Sequence, residues 1–362
     1  MKKRLFIHLG TGKTGTTAIQ RFLTENDDWL ATNHRIQYAT TERHNFNHHN
    51  LCTNYLRGES DNNSRVIHGL RDLLEEITTS DYETFVISSE YFPGVTPEEI
   101  AHVYAQELLD TIELNTIVYF RRQDDFAESW HAQIVKAGSP GWKGGIQNTV
   151  DRLTRDGIFD YYALAEEWAR HIGKNHVFVK PYERTQFVNG DIIADFLSIL
   201  GVDDLSGSRR TKGDPNPSLT RDQVHILESF VAAGIDSQID GVLRKPFGIP
   251  SGSSSHLLSP DAREEILKTV DDGNSRLARE YLGRPDGILF RDPLPNETDA
   301  DWQELEFPAT GYLLRTVQHM IDRRFVQVRR QIEVLDKEVQ RLKQSPSTSF
   351  LADDSTDGNP GT

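Results

Sequence analysis

The chain has 362 residues, 36% of them hydrophobic, and its 40 Lys and Arg against 55 Asp and Glu give a formal net charge of −15. That length supports one large α/β core or two modest domains, and the acidic balance excludes nucleic acid or an anionic membrane as the main partner, since both reward a basic surface. A single cysteine, Cys52, excludes a disulfide framework and fits a reducing compartment.

The chain opens with Met1-Lys2-Lys3-Arg4, but the apolar run that follows stops at Leu9. A secretory core needs about 7–15 apolar residues and a membrane helix about 20. Neither pattern occurs, so the expectation is a cytoplasmic protein without a membrane span. Residues 4–9 read as a buried strand. Residues 16–24 read as a helix, with Ile19, Phe22 and Leu23 at i, i+3 and i+4. Residues 30–65 are polar, rich in Asn and His, and read as irregular. Cys52 sits there between Leu51 and Thr53, neighbours that suit a small buried side chain better than a reactive thiol. Then come a helix over 66–78, a strand over 84–89, a helix over 98–111 and a strand over 115–120. The helix over 124–137 opens on Asp124 and closes on Gly138, and a glycine-rich stretch follows over 138–145. Helix 160–172, strand 176–180 and helix 190–200 continue the alternation. It predicts an α/β fold, a mainly parallel sheet flanked by helices. A Ser-, Gly-, Arg- and Pro-rich loop over 203–218 leads to helices near 220–233 and 260–281.

Beyond residue 300 the pattern changes. Leu314, Ile321, Val328, Leu335 and Leu342 recur every seven residues, with Phe325, Ile332 and Val339 in the alternate seam and Gln318 interrupting it. This heptad pattern over 311–344 is a long coiled-coil-like helix. Two readings stay open: a homodimer through residues 314–342, or a long helix packed along its own domain. Residues 345–362 are rich in Ser, Thr, Asp, Gly and Pro and read as a disordered tail. The expected organisation is an α/β domain over 1–300, the heptad helix, and the tail.

The strongest local signal is Gly10-Thr11-Gly12-Lys13-Thr14-Gly15-Thr16-Thr17, set between a strand and a helix. Glycines let the backbone turn and bring N–H groups against an anion, and the helix start adds unpaired N–H groups and partial positive charge. Thr16 and Thr17 can donate hydroxyls to phosphate oxygens. A nucleotide triphosphatase loop carries its lysine at the helix start, whereas here position 16 is threonine and the only lysine, Lys13, lies inside the turn. The second strand ends Ser88-Ser89-Glu90, without an aspartate where a Mg²⁺ site would have one. The loop suits one phosphate plus a transferable group, with no metal.

The run His8 to Thr17 resembles the 5'-phosphosulfate loop of sulfotransferases that use 3'-phosphoadenosine-5'-phosphosulfate (PAPS), in their bacterial and carbohydrate-acting branches. The resemblance implies a P-loop-like fold with PAPS as sulfuryl donor. Gly12, Lys13, Thr14, Gly15, Thr16 and Thr17 would hold the donor, and Lys13 would be catalytic. It also implies a second contact, an arginine at a strand end and a serine eight residues on, gripping the 3'-phosphate. Arg121 and Ser129 have that spacing. An arginine at a strand's carboxyl end projects into the crevice where α/β sheets bind ligands, and its planar fork suits phosphate. Arg121 or Arg122 could instead pair with Asp124 or Asp125. The loop Arg209 to Leu219 is similar, in part, to the family's late basic loop, which makes Arg210 and Lys212 further candidates. Tyr182-Glu183 and Phe290 to Pro293 match other segments of the family, so the resemblance covers roughly residues 4–295.

A general base is needed to take the acceptor's proton, and the family uses His or Glu in different branches. His48, His49 and Glu90 are the candidates, the histidines for an unperturbed pKa near about 6.5 and Glu90 for its place at a strand end. His8, in mid-strand, reads as a hydrogen-bonded core residue. The branch implies a carbohydrate or glycolipid acceptor, bonded through a hydroxyl or an amine. Ser88, Ser89, Trp130, Trp142 and the aromatics near 159–162 are candidate lining or core. Two other readings remain: a nucleotide-dependent kinase on the same loop, and a non-catalytic scaffold working through the heptad helix.

Overall fold

Strand β1 (Lys3–Leu9) has every residue from Leu5 to Leu9 buried, which only a central strand covered on both faces allows. The computed structural model describes residues 2–52, 62–92, 111–137, 144–210, 219–232, 256–294, 302 and 310–344. After β1 come α1 (Thr16–Glu25), α2 (Asp27–His34), β2 (Ile36–Tyr38), α3 (Asn62–Thr79), β3 (Thr84–Ser89) and β4 (Ile112–Phe120). Next are α4 (Gln123–Ala137), α5 (Ile146–Arg155), α6 (Tyr161–Ile172), β5 (Val177–Pro181) and α7 (Ile192–Ile199). The last are α8 (Arg221–Ala232), α9 (Pro260–Glu280) and α10 (Thr310–Gln344). The strands form one sheet in the order β2-β3-β1-β4-β5, with parallel pairing throughout.

Alternation along the strands divides the core. Leu5, Ile7 and Leu9 of β1, Phe85 and Ile87 of β3, and Val118 and Phe120 of β4 pack with Leu70, Leu73 and Ile77 of α3 and Trp168 of α6. On the other face Phe6, Val86, Ile117 and Tyr119 meet Ile19, Phe22 and Leu23 of α1 and Phe196 and Leu197 of α7. The predicted α/β fold, a parallel sheet flanked by helices, is the one observed.

Two differences have clear causes. The stretch expected to be irregular from residue 30 contains most of α2 and the edge strand β2, which is three residues long and takes its place by pairing Ile36 with Thr84 and Tyr38 with Val86. Helix α5 follows the glycine-rich stretch and buries only Thr149, Val150 and Leu153. Its apolar stripe is too short to stand out in the sequence. The helix expected over 98–111, Trp142 and the tail over 345–362 lie outside the described residues. The chain divides into two compact units. The first is Met1–Ser237 with Pro250–Leu305, and the second is Gln238–Ile249 with Glu306–Thr362, which contains α10. No described helix is long and apolar enough to cross a membrane.

The start of α4 is fixed by a buried ion cluster. Arg122 donates through Nε and Nη2 to both oxygens of Asp124, at 2.9 and 3.1 Å, and through Nη1 to the carbonyls of Asp292 and Pro293. Arg263 of α9 donates to Asp124 at 3.0 Å and to Asp125 at 2.9 Å. Burial by itself would raise the Asp124 carboxyl, but the hydrogen bond and charge of Arg122, with Arg263, hold it below its ordinary value. Because Asp124 is fully buried, Asp124→Ala strands two guanidinium groups and is expected to destabilise the fold by about 3–5 kcal/mol. Urea unfolding should show this, with the exposed Asp156→Ala changing stability by less than about 0.5 kcal/mol as the comparison.

Candidate functional site

Parallel pairing of β1 with both β3 and β4 sends three chain segments out of one edge of the sheet. Leu9 lies opposite Ser89 on one side and Val118 on the other. The loop 10–15, Glu90 and Arg121 therefore emerge together at the carboxyl ends of the strands. From β1 the chain crosses to one side of the sheet and from β4 to the other, the switch at which open α/β sheets bind ligands.

The loop is tied down by its neighbours. Gly10 N–H donates to the Ser89 carbonyl at 3.0 Å, the Thr11 hydroxyl donates to the Tyr119 carbonyl, and the Thr14 hydroxyl to the Thr11 carbonyl at 2.5 Å. Lys13 is held in the left-handed region at φ 68, a conformation uncommon for a side-chain-bearing residue and concentrated at functional turns. Gly15 caps α1 at φ 73 without a side-chain cap, which leaves the first-turn N–H groups to the loop. Thr16 Oγ1 is buried there with no hydrogen-bond partner, while Thr17 is exposed. At Gly12 the constraint is space, since a Cβ would stand 2.8 Å from the Trp130 ring. Trp130, itself stacked on Phe126 at 5.7 Å, lies against the loop.

Arg121 Nη1 donates to the Lys13 carbonyl at 3.4 Å, so strand tip and loop touch. Its neighbour Arg122 is turned into the Asp124 cluster described above, which separates the two arginines that the sequence left ambiguous. Lys13, Arg121 and Ser129 line one cavity of about 200 Å³. Asp125, Glu128, Lys136, Arg221 and His256 line it too. Four lysines and arginines thus face two carboxylates, a local cationic pocket in an acidic chain. Arg221 is almost fully buried and lies over the Trp302 ring at 4.7 Å. Helix α8, which carries it, is joined to α4 by His131, whose Nε2 is 2.8 Å from Glu228. Burial raises and the His131 and His225 hydrogen bonds lower the Glu228 carboxyl, which settles at about 2.

No pattern along the chain points to the pair Glu128 and His256. His256 Nδ1 lies 2.8 Å from Glu128 Oε2, and the Leu258 N–H donates to Glu128 Oε1 at 2.8 Å. Ligand atoms of Asp125, Glu128 and His256 lie within 4.8 Å of one another, a set that could hold a metal ion. Asp125 and Glu128 share a helical face, but His256 comes from a distant loop, and no spacing rule would have joined them.

The three base candidates part company. His48 is fully buried. Its Nδ1 accepts from the Ser88 N–H at 3.2 Å, so Nε2 carries the proton and donates to the Ala39 carbonyl at 2.9 Å. Burial drives its pKa down to about 4. Both ring nitrogens are committed to backbone, which makes it a neutral structural histidine. His49 is half-buried, with Nδ1 2.8 Å from the Ser89 hydroxyl and its ring against Tyr91, and burial lowers its pKa. Glu90 is exposed at the edge. The protein around it raises its carboxyl above the ordinary value, and the charge of nearby Lys13 opposes the rise.

Other candidates resolve simply. Arg210 does not line the cavity. It pairs with Asp191 at 2.5 Å and lies over the Phe22 ring, because Asp191 caps the start of α7 beside it. Lys212 lies outside the described residues. Ser88 and Ser89 are buried and bonded to His8 and His49. His8 is buried against Tyr119 and Phe196, its pKa lowered to about 3 by burial. Cys52 is a buried thiol pushed up to about 12 by burial.

No family model matches the chain. It is 29% identical over 212 residues to an uncharacterized protein of Archaeoglobus fulgidus, 55% of this chain and 54% of that protein. The chain thus spans about half the length of this curated relative. Among solved structures, a sulfotransferase from Alicyclobacillus acidocaldarius aligns with a TM-score of 0.39 and 15% identity, over 64% of this chain and 94% of that one.

The Gly12 contact can be tested directly. Gly12→Ala places a methyl against the Trp130 ring and is expected to lower stability by about 1–3 kcal/mol. Combined with Trp130→Leu the two costs should fall short of their sum, as a double-mutant cycle in urea would measure.

Proposed function

We propose that the α/β unit is a sulfotransferase that moves the sulfuryl group of PAPS to a hydroxyl or amine of a carbohydrate or glycolipid acceptor by in-line, metal-free displacement. The observation that carries this reading is that Lys13, from the first turn, and Arg121 and Ser129, from a motif far along the chain, line the same cationic cavity. The residues present fit a bis-anionic donor. The Thr16 hydroxyl is buried at a helix start with its hydrogen-bonding capacity unmet, and the turn N–H groups and Lys13 supply positive charge beside it. When bound, such a donor supplies the sulfuryl group and leaves as adenosine 3',5'-bisphosphate.

In this reading the chain's residues divide the work. Gly12, Thr14, Gly15, Thr16 and Thr17 shape and line the cradle for the 5' end. Lys13 stabilises the charge that develops on the leaving oxygen. Arg121 and Ser129 hold the second phosphate, with Lys136 and Arg221 adding charge to the same cavity. Glu90 takes the acceptor's proton. It is accessible and beside Lys13, and its raised carboxyl makes it a better base than an ordinary one. The heptad helix over 311–344 and the tail over 345–362 stand apart from this chemistry over 1–300, and a cytoplasmic site of action completes the proposal. The Asp125, Glu128 and His256 donor set favours a second reading, metal-dependent phosphoryl transfer from ATP. Calorimetry separates the two. Tight metal-free binding of adenosine 3',5'-bisphosphate supports the first, and a preference for ATP with Mg²⁺ overturns it.

Lys13→Ala is expected to keep the bisphosphate bound while lowering sulfate transfer about 10²–10³-fold. Arg121→Ala should instead weaken binding itself, and transfer at wild-type rates in both variants would refute the assignment. For Glu90 the active form is the ionised one, so the rate should fall as pH drops through its carboxyl pKa, with a midpoint above the ordinary 4.5. Glu90→Gln should abolish that acid limb and lower the rate about 10²–10⁴-fold, read from pH profiles of labelled-sulfate transfer.

A further inference from the structure

Beside the end of β3 lies a histidine whose protonation state its neighbours fix. The His48 N–H donates to the Ser88 carbonyl at 2.9 Å, which lays residues 48 and 49 along Ser88 and Ser89. His49 Nδ1 then stands 2.8 Å from Ser89 Oγ, and the same oxygen accepts the Tyr91 N–H at 3.1 Å. Ser89 is fully buried, so its own hydroxyl proton needs an acceptor. His49 Nδ1 and the Cys52 thiol both lie beside it, and a thiol sulfur is the weaker acceptor. Ser89 therefore donates to Nδ1, and the neutral His49 ring carries its proton on Nε2.

That Nε2–H is the part of the ring the fold does not use. It makes no hydrogen bond to another described residue, yet it is not sealed from solvent. Burial lowers the His49 pKa below its ordinary value, so at neutral pH the ring is uncharged and offers one donor. Its surroundings are those of the candidate site. Ser89 precedes Glu90, whose Cα would lie 3.1 Å from a Cβ built on Gly10, at the root of the loop that holds Lys13. Tyr91, 42% exposed, sets its ring edge-on to the imidazole at 4.6 Å. A carboxylate, an N–H donor and an aromatic ring are thus neighbours at one strand end.

We propose that His49 binds the acceptor as a hydrogen-bond donor, presenting Nε2–H to a second oxygen next to the hydroxyl or amine that gives its proton to Glu90. The proposal rests on the sulfotransferase reading and narrows its substrate. A neutral N–H bonds an oxygen lone pair. It therefore favours an acceptor with an oxygen adjacent to the reacting group, as in the vicinal hydroxyls of a sugar ring, over a lone hydroxyl. The reacting oxygen keeps its own lone pair for the new O–S bond, its proton goes to Glu90, and His49 keeps the proton it holds.

Two measurements on the full-length chain test this. The first needs no activity. Nitrogen NMR of the labelled histidine rings, with His49 assigned by its loss in His49→Gln, should show the proton on Nε2 at neutral pH. A proton on Nδ1 overturns the proposal. The second is labelled-sulfate transfer from PAPS to trans-1,2-cyclohexanediol and to cyclohexanol, which differ by one adjacent hydroxyl. The wild-type chain should favour the diol about tenfold in kcat/KM, the effect of one neutral hydrogen bond. His49→Leu should lose that preference, and His49→Gln, which keeps an N–H donor, should retain part of it. The acid limb assigned to Glu90 should persist in both variants, whereas a proton-accepting His49 would take that limb with it. Equal use of both alcohols by the wild type, a preference that survives His49→Leu, or loss of the acid limb in His49→Gln would each overturn the proposal. The two failures are separable. An Nε2–H ring in a chain that transfers sulfate to neither alcohol removes the sulfotransferase reading and this use of the donor with it, while transfer without preference for the diol removes only the use.

Discussion

The parallel register between β1 and β4 is the constraint on which the candidate site depends. With Leu9 opposite Val118, the turn after one strand and the arginine after the other leave the sheet at the same edge. An antiparallel pairing of the same residues would send them to opposite ends of the sheet. The register is fixed because a one-residue slip would exchange the two buried faces, and each face is filled by different helices. The close approach of Arg121 to the Lys13 carbonyl follows from strand pairing and needs no force of its own.

The second requirement is sorting of charge. Arg121 and Arg122 are adjacent, yet one faces the cavity and the other is locked by a bidentate pair with Asp124 and by two carbonyls. A buried guanidinium without partners is costly, so the cluster of Arg122, Asp124 and Arg263 consumes the hydrogen-bonding capacity of its members. Asp125 and Glu128 are likewise engaged by Arg263 and His256, which moderates their charge beside Lys13, Arg121, Lys136 and Arg221. An acidic protein can in this way keep a cationic cavity, provided that its nearby acids have partners. The same economy governs the histidines. His8 and His48 are held neutral by burial and serve the sheet's polar interior, while the exposed Glu90 keeps a proton-accepting group at the edge.

Much of this was legible in the sequence, and the reasons are local. Strands buried on both faces announce themselves as unbroken apolar runs, so β1, β3 and β4 were evident, as was the glycine-rich turn whose residues all act within a single segment. The eight-residue interval from Arg121 to Ser129 was sought because the resemblance to sulfotransferases implied it, and a strand end followed by a helix turn gives it a physical reason. The long helix showed its period. What only the tertiary structure decided involves groups that meet across the fold. The separation of Arg121 from Arg122, the committed ring of His48, the pairing of Arg210 with Asp191 and the meeting of Glu128 with His256 all depend on contacts between distant segments. Propensity and periodicity describe a residue's own neighbourhood along the chain, whereas a side chain's charge state and direction are set by whatever packing brings against it.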